Sequence, residues 1–278
     1  IIFRTKSLSL WFEETFRKMK IKYSMMGSKG FFDRKEILDI NCFLAAAVYP
    51  RDDVSFERIV NTPKRGIGPG MIKKLRAARD GGLGLLGASQ KVVREKILSK
   101  KIHTELKDLL QLLEEIREMK PDVAIRKIIR KTGYMDYLQA YSKTKEEFSS
   151  REENIEELLY LASLKNTMEE YLEETTLVNE DREDDEDSGK GVKLSTVHAS
   201  KGLEFKSVFI VGCEETIFPH WRSMESDFEL QEERRLMYVA VTRAEKQLFL
   251  TSATSRRHKR ATKSRFIYEI EDALDEIF

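Results

Sequence analysis

Between positions 42 and 175 the apolar residues recur three and four apart. Leu106, Leu109, Leu110, Leu113 and Ile116 mark one helix, because a 3.6-residue turn puts such positions on one face. Pro121 is expected to end it. Val123, Ile125, Ile128 and Ile129 predict a second helix, stopped at Gly133, and Ile155, Leu158, Leu159, Leu161 and Ala162 a third. No strand pattern interrupts this stretch. On either side the rhythm changes. Ile1–Phe3 reads as a short strand and Leu8–Lys20 as an amphipathic helix. Lys22–Met26 reads as another short strand, and a helix begins near Asp33. Beyond residue 191 strands and helices alternate. Val192–Thr196, Ser207–Val211 and Gln247–Ser252 predict strands, and Phe228–Thr242 and Arg265–Ile277 predict helices. Ser207–Val211 is a continuous apolar run of the kind buried in parallel sheets.

This alternation predicts an α/β fold with a parallel sheet. The two N-terminal strands are expected to join that sheet, which makes the helical stretch an insertion. The expected divisions are residues 1–41 and 192–278 for the α/β domain, 42–175 for the all-helical insertion and 176–191 for a linker. Seven of the eight residues from Glu180 to Asp187 are acidic, which reads as a solvated connection.

Composition narrows the classes. The 278 residues carry a net charge of +1, so any attraction to nucleic acid must come from local patches. Cys42 and Cys213 read as buried thiols of a reducing compartment, which points to the cytoplasm. The four histidines share no metal-ligand spacing, and no metal site is expected. The longest apolar run, Cys42–Tyr49, is too short to span a bilayer. The chain opens without an initiator Met, like the middle of a strand, and is expected to be a piece of a longer protein.

Four segments carry candidate chemistry. TVHASKGLEF, Thr196–Phe205, leaves the end of one predicted strand and enters the next, where ligands of open α/β sheets sit. Gly202 permits close backbone approach. Any one of these residues alone would read as part of a polar surface loop; the whole string does not. In QEERRLMYVAVTRA, Gln231–Ala244, Arg243 lies near a helix C-terminus. There it reads either as a capping cation or as a finger aimed at a phosphate. Arg4 follows the first strand and is expected to reach the same crevice. NTPKRGIG, Asn61–Gly68, combines a tight turn with a helix start near Pro69. Free N–H groups at such a turn bind phosphate without reading sequence, although an ordinary helix connection has the same look. Ser255–Arg265 holds six Lys or Arg residues and reads equally as a solvated loop or a DNA-backbone contact. Of the aromatics, Trp221 is expected to be open for base stacking, whereas Trp11 and Tyr238 are expected inside.

Taken in order, IFRT, TVHASKGLEF and QEERRLMYVAVTRA resemble the fourth, fifth and sixth motifs of superfamily-one DNA helicases of the UvrD/Rep/PcrA type. GSKGFFDRKEI (Gly27–Ile37), NTPKRGIG, SVFIVGCEETIFP (Ser207–Pro219) and SRFI (Ser264–Ile267) extend the match. The resemblance implies a second RecA-like domain split by a helical insertion. It implies the C-terminal part of an ATP-dependent 3′-to-5′ DNA helicase of repair or replication. By that resemblance Arg4 and Arg243 would be twin fingers on the γ-phosphate. Glu204 would bind ribose, with Lys201 and Gly202 beside the nucleotide. Thr196 and His198 would touch single-stranded DNA. Thr62, Lys64, Arg65, Gly66 and Gly68 would grip duplex ahead of the fork. The sequence contains no G-x-x-x-x-G-K-[ST] phosphate loop. The family carries that loop, and the Mg²⁺ ligands, on an upstream RecA-like domain. ATP and Mg²⁺ would therefore be used by the full-length enzyme, and this chain alone is expected to be inactive. The implied partners are single-stranded and duplex DNA and the upstream P-loop domain, with no membrane. Two other readings stay open: a helicase–nuclease subunit of the RecB/AddA kind, and a non-catalytic DNA-binding module. The insertion looks short for the family, and the acidic stretch unusually charged.

Overall fold

Ile2–Phe3 (β1) sits in the middle of a five-stranded sheet, although it is two residues long. A computed structural model describes residues 1–27, 29–79, 84–180 and 191–276 of the chain. The other strands are Tyr23–Met26 (β2), Val192–Thr196 (β3), Phe205–Val211 (β4) and Ala244–Leu250 (β5). Their order is β2-β3-β1-β4-β5, and every pairing is parallel. The expected sheet, assembled from both ends of the chain, is therefore present. After β1 the chain forms Ser9–Lys18 (α1), and Leu8 just before it, with Phe12 and Phe16 on it, packs near Phe3, Leu194 and Val211 on one face. Two compact units result. The first is Ile1–Phe31 with Asp185–Phe278, and the second is Phe32–Asp184.

The second unit is helical throughout its described residues. Its helices are Lys35–Val48 (α2), Asp53–Ile59 (α3), Pro69–Ala77 (α4), Leu85–Arg94 (α5), Lys100–Ile116 (α6), Pro121–Thr132 (α7), Tyr134–Tyr141 (α8), Lys145–Ser163 (α9) and Met168–Glu180 (α10). Pro121 opens α7 rather than closing α6, because the first helical turn has no use for the N–H that proline lacks. Gly133 ends α7 in the left-handed region, at φ 61°. Helix α2 is central: Ile37, Ile40, Phe43, Leu44 and Ala47 are fully enclosed. Buried Asp39 accepts from Lys35, Arg58 and the Tyr134 hydroxyl, and buried Glu36 accepts from Arg151 and Asn154. These ties explain why the boundary expected at residue 41 falls inside α2. The whole helix belongs to the insertion, and the division lies at residues 31 and 32. The expected linker also begins late, since α10 runs to Glu180. Its remainder, 181–190, lies outside the described residues.

The returning chain completes the first unit with Asp227–Val241 (α11), Arg265–Asp275 (α12) and a small hairpin of Ser255–Arg256 (β6) and Lys259–Arg260 (β7). Met237, Ala240, Phe266 and Ile267 of α11 and α12 pack with Ile2, Val208 and Ile210 on the sheet face opposite α1. Among the described residues no helix is long and apolar enough to cross a membrane.

Candidate functional site

Strands β1 and β3 end level with each other, at Phe3 and Thr196. Arg4 therefore emerges beside the start of the Thr196–Phe205 segment. Its guanidinium is held by Glu233 of α11 through Nε at 2.9 and 3.0 Å and Nη2 at 2.6 Å. The Glu233 carboxylate is buried and also accepts from the His220 backbone N–H, 3.0 Å, and the Ser223 hydroxyl, 3.4 Å. Across from it, Thr196 Oγ1 accepts from Ala199 N–H, and the buried Ser200 hydroxyl donates to Val197 O. These bonds fold the segment into a turn that presents His198. Partial burial, and then the Arg4 cation, hold the His198 imidazole below its ordinary pKa.

The segment then runs the length of the sheet to enter β4 from the opposite edge. Lys201, Gly202 and Glu204 are exposed along it, with Gly202 at φ 82°. At that edge the Arg243 carbonyl accepts from Phe205 N–H, 2.9 Å. The Arg243 side chain donates to Val239 O, Leu203 O and the Thr242 hydroxyl. Its bonds are thus those of a capping arginine, with two of the five guanidinium N–H groups left over.

Register corrects one expectation. Arg4 comes level with Gly212, and Arg243 with Glu204, roughly 26 Å apart along the strands at about 3.3 Å per residue. Two arginine side chains tied down at opposite edges do not meet on one γ-phosphate. Thr196, His198 and Arg4 are grouped at the carboxyl edge. Glu204 and Arg243 are grouped at the amino edge, with Lys201 and Gly202 between.

The NTPKRGIG segment lies in the helical unit. Asn61 Oδ1 accepts from the Arg65 and Ile67 backbone N–H groups and closes the turn. Arg65 was expected on DNA, but it is buried, and its Nη1 donates to the carbonyls of Ile59, Thr62 and, more distantly, Val60 and Pro63. It caps α3, whose last carbonyls have no partner within their own helix. Lys64 and Gly66 are exposed, and Thr62 and Gly68 partly so. Gly66 has φ 78°, a conformation that glycine takes without strain. Gly68 precedes Pro69 at the start of α4, where no side chain caps the first turn.

Other candidates divide similarly. Trp221 is 51% exposed, with Arg222 over its ring, but Tyr238, expected inside, is 71% exposed. It lies one position from buried Met237 on α11 and so faces outward. The basic Ser255–Arg265 stretch is neither loop nor uniform patch. Arg256, Lys263 and Arg265 are paired with Glu214, Glu271 and Glu215, and Arg257 and His258 form the hairpin tip. Cys213 is buried, and burial pushes its thiol up to about 12; Cys42 is only partly buried and is also raised.

The sequence model of the UvrD-like helicase C-terminal domain matches residues 1–255. The chain belongs to this family. It is 39% identical over 297 residues to the ATP-dependent DNA helicase PcrA of Staphylococcus epidermidis, covering 99% of this chain and 40% of that protein. The ATP-dependent DNA helicase PcrA of Staphylococcus aureus is 38% identical over 300 residues, with the same coverage. The chain thus spans two fifths of these relatives. Within this UvrD-like domain the residue that sequence reasoning missed is Glu233. A signal existed: it stands four and seven positions before Met237 and Ala240, on the apolar face of α11, where a carboxylate needs a partner.

Proposed function

We propose that the chain is the C-terminal motor portion of an ATP-dependent DNA helicase that moves 3′ to 5′ along single-stranded DNA and opens duplex in repair or replication. The observation that carries this reading is the Thr196–Phe205 segment. One continuous stretch joins an edge bearing Thr196, His198 and Arg4 to an edge bearing Glu204 and Arg243. In the proposal the first group holds the DNA strand and the second faces nucleotide bound to an upstream P-loop domain. A shift at either edge is then felt at the other through a turn braced by Ser200. Arg4 is assigned to DNA phosphate, not to nucleotide.

The residues at the amino edge fit a triphosphate in part. Arg243 has two N–H donors to spare, and Lys201 and Glu204 are open to solvent. ATP supplies the driving force through phosphoryl transfer, with Mg²⁺ assigned to the upstream domain. Arg243 would orient the terminal phosphate and stabilise its developing charge. In the helical unit, Lys64 and the uncapped start of α4 would hold duplex backbone, with Thr62, Gly66 and Gly68 shaping that turn. Arg65 supports it from inside. The proposal keeps the chain alone inactive, since its sequence has no phosphate loop, and assigns the working protein to the cytoplasm.

The test is Arg243→Ala in the full-length protein. DNA-stimulated ATP turnover is expected to fall by about 10³-fold or more, with nucleotide affinity nearly unchanged. Turnover within a fewfold of the parent would refute the assignment. Helicase activity on a substrate with a 3′ single-stranded tail, but not a 5′ tail, tests the polarity.

A further inference from the structure

Helix α7 of the helical unit carries four cations, Arg126, Lys127, Arg130 and Lys131, against one acid, Asp122. Lys127 turns toward α6 and is paired with Glu115 at 2.7 Å. Lys131 lies one turn further along the same side and lines a cleft of about 490 Å³. Lys64 and Arg65 of the NTPKRGIG turn, and Glu105 and Asp108 of α6, line that cleft too. Arg126 and Arg130 stand four apart on the outward side of α7, beside Val123, which is 48% exposed. Among the described residues the side chains of Lys64, Arg126, Arg130 and Lys131 are exposed and make no ion pair. We infer that duplex DNA held at the NTPKRGIG turn continues across α7, with its backbone phosphates on Lys131, Arg130 and Arg126, and does not cross α6. This inference rests on the reading of that turn as a duplex contact.

A helix C-terminus favours cations whatever they bind. That accounts for Arg130 and Lys131 in the last turn of α7, but not for Arg126, more than a turn earlier. Like charges four apart on a helix repel, so the unpaired Arg126 and Arg130 cost a little until an anion arrives. From Arg126 to Lys131 is roughly 7.5 Å along the axis at about 1.5 Å per residue. Duplex DNA presents one negative charge per about 1.7 Å of its axis, and so meets all three cations together whatever its sequence. Continuity selects duplex over an acidic protein: Lys131 and Lys64 line one cleft, and a backbone that touches one passes the other. The acids choose the direction. Lys100 and Lys101, exposed at the start of α6, are the competing cations. A phosphate backbone running toward them from Lys64 would pass Glu105 and Asp108, which repel it. Toward α7 the nearest acid of the cleft, Glu115, is already neutralised by Lys127.

The test counts released counterions. The full-length protein, without nucleotide, is titrated at several salt concentrations with a closed-ended duplex and with a single-stranded oligonucleotide. Arg126→Ala, Arg130→Ala and Lys131→Ala combined are expected to lower the duplex slope of log K against log salt by about 2.7, at about 0.9 per phosphate contact. Single-strand binding should not change. Lys100→Ala with Lys101→Ala is expected to leave both unchanged. All five positions are exposed, and an unchanged urea midpoint shows that the variants fold. A triple-variant slope within about 0.5 of the parent, while Lys64→Ala lowers it by about one, would overturn the α7 path and keep the turn as a duplex contact. No change with Lys64→Ala either would sink the duplex reading of the turn, and the inference with it. A lower duplex slope for the Lys100 and Lys101 variant, or an equal loss on single strands for the triple variant, would likewise overturn the path.

Discussion

Replacing Glu233 by glutamine removes the charge that holds Arg4. The two side chains are 3% and 21% exposed. Both carboxylate oxygens are committed: Oε1 to Arg4 and Ser223, Oε2 to Arg4 and the His220 backbone. Glutamine keeps one oxygen, and its NH₂ group then points at N–H donors whichever way the amide is turned. Removing one partner of a buried pair costs about 3–5 kcal/mol. Arg4 keeps some water, which trims the expected loss to about 2–4 kcal/mol. Urea unfolding followed by tryptophan fluorescence reads this directly, because both tryptophans of the chain, Trp11 and Trp221, lie in the sheet-containing unit. Adding Arg4→Gln should recover about 1–3 kcal/mol, the coupling of two groups in contact. A loss below about 0.5 kcal/mol for Glu233→Gln, or simple additivity with Arg4→Gln, would refute the view that Glu233 is the anchor of the carboxyl edge.

The helical unit offers a contrast of neighbours. Arg65→Ala should lower its stability by about 2–3 kcal/mol, measured by circular dichroism in urea, because the α3 carbonyls lose their donor. Lys64→Ala should leave stability unchanged and reduce the salt slope of duplex binding by about one; the reverse pattern would invert the two assignments. His198 gives a pH test. Its folded pKa lies below the unfolded value of about 6.5, so the unfolded state takes the proton first. Stability attributable to His198 is then lost as pH falls below about 6.5, until the folded value is passed. His198→Gln should flatten the stability profile between pH 5 and 7, and an unchanged profile would exclude His198 as its source.

Much of this protein is legible in its sequence, and the reason is local. Helical spacing in Leu106–Ile116 and the apolar run Ser207–Val211 are consequences of nearest neighbours in the chain, which sequence states outright. The same holds for the motif strings that identify the family. Boundaries were less secure where one residue type serves two purposes, as when Pro121 begins a helix instead of ending one.

What sequence could not assign was which side of a fold a residue serves. Arg4 and Arg243 both flank strands of one sheet, the first after its strand and the second before its own, but nothing in their neighbours says that Arg4 is level with Gly212 and Arg243 with Glu204. Strand order and register decide that, and they arise from pairings between residues nearly two hundred positions apart, such as Ile2 with Ser195. Arg65 and Lys64 are likewise adjacent and equally basic; the turn closed by Asn61 sends one inward and leaves the other in solvent. Local pattern was enough for most of the elements, for the family and for most of the polar side chains found at the two edges, Glu233 excepted. The tertiary structure alone sorted those side chains onto two edges, because position across a sheet is a property of distant pairing and not of local pattern.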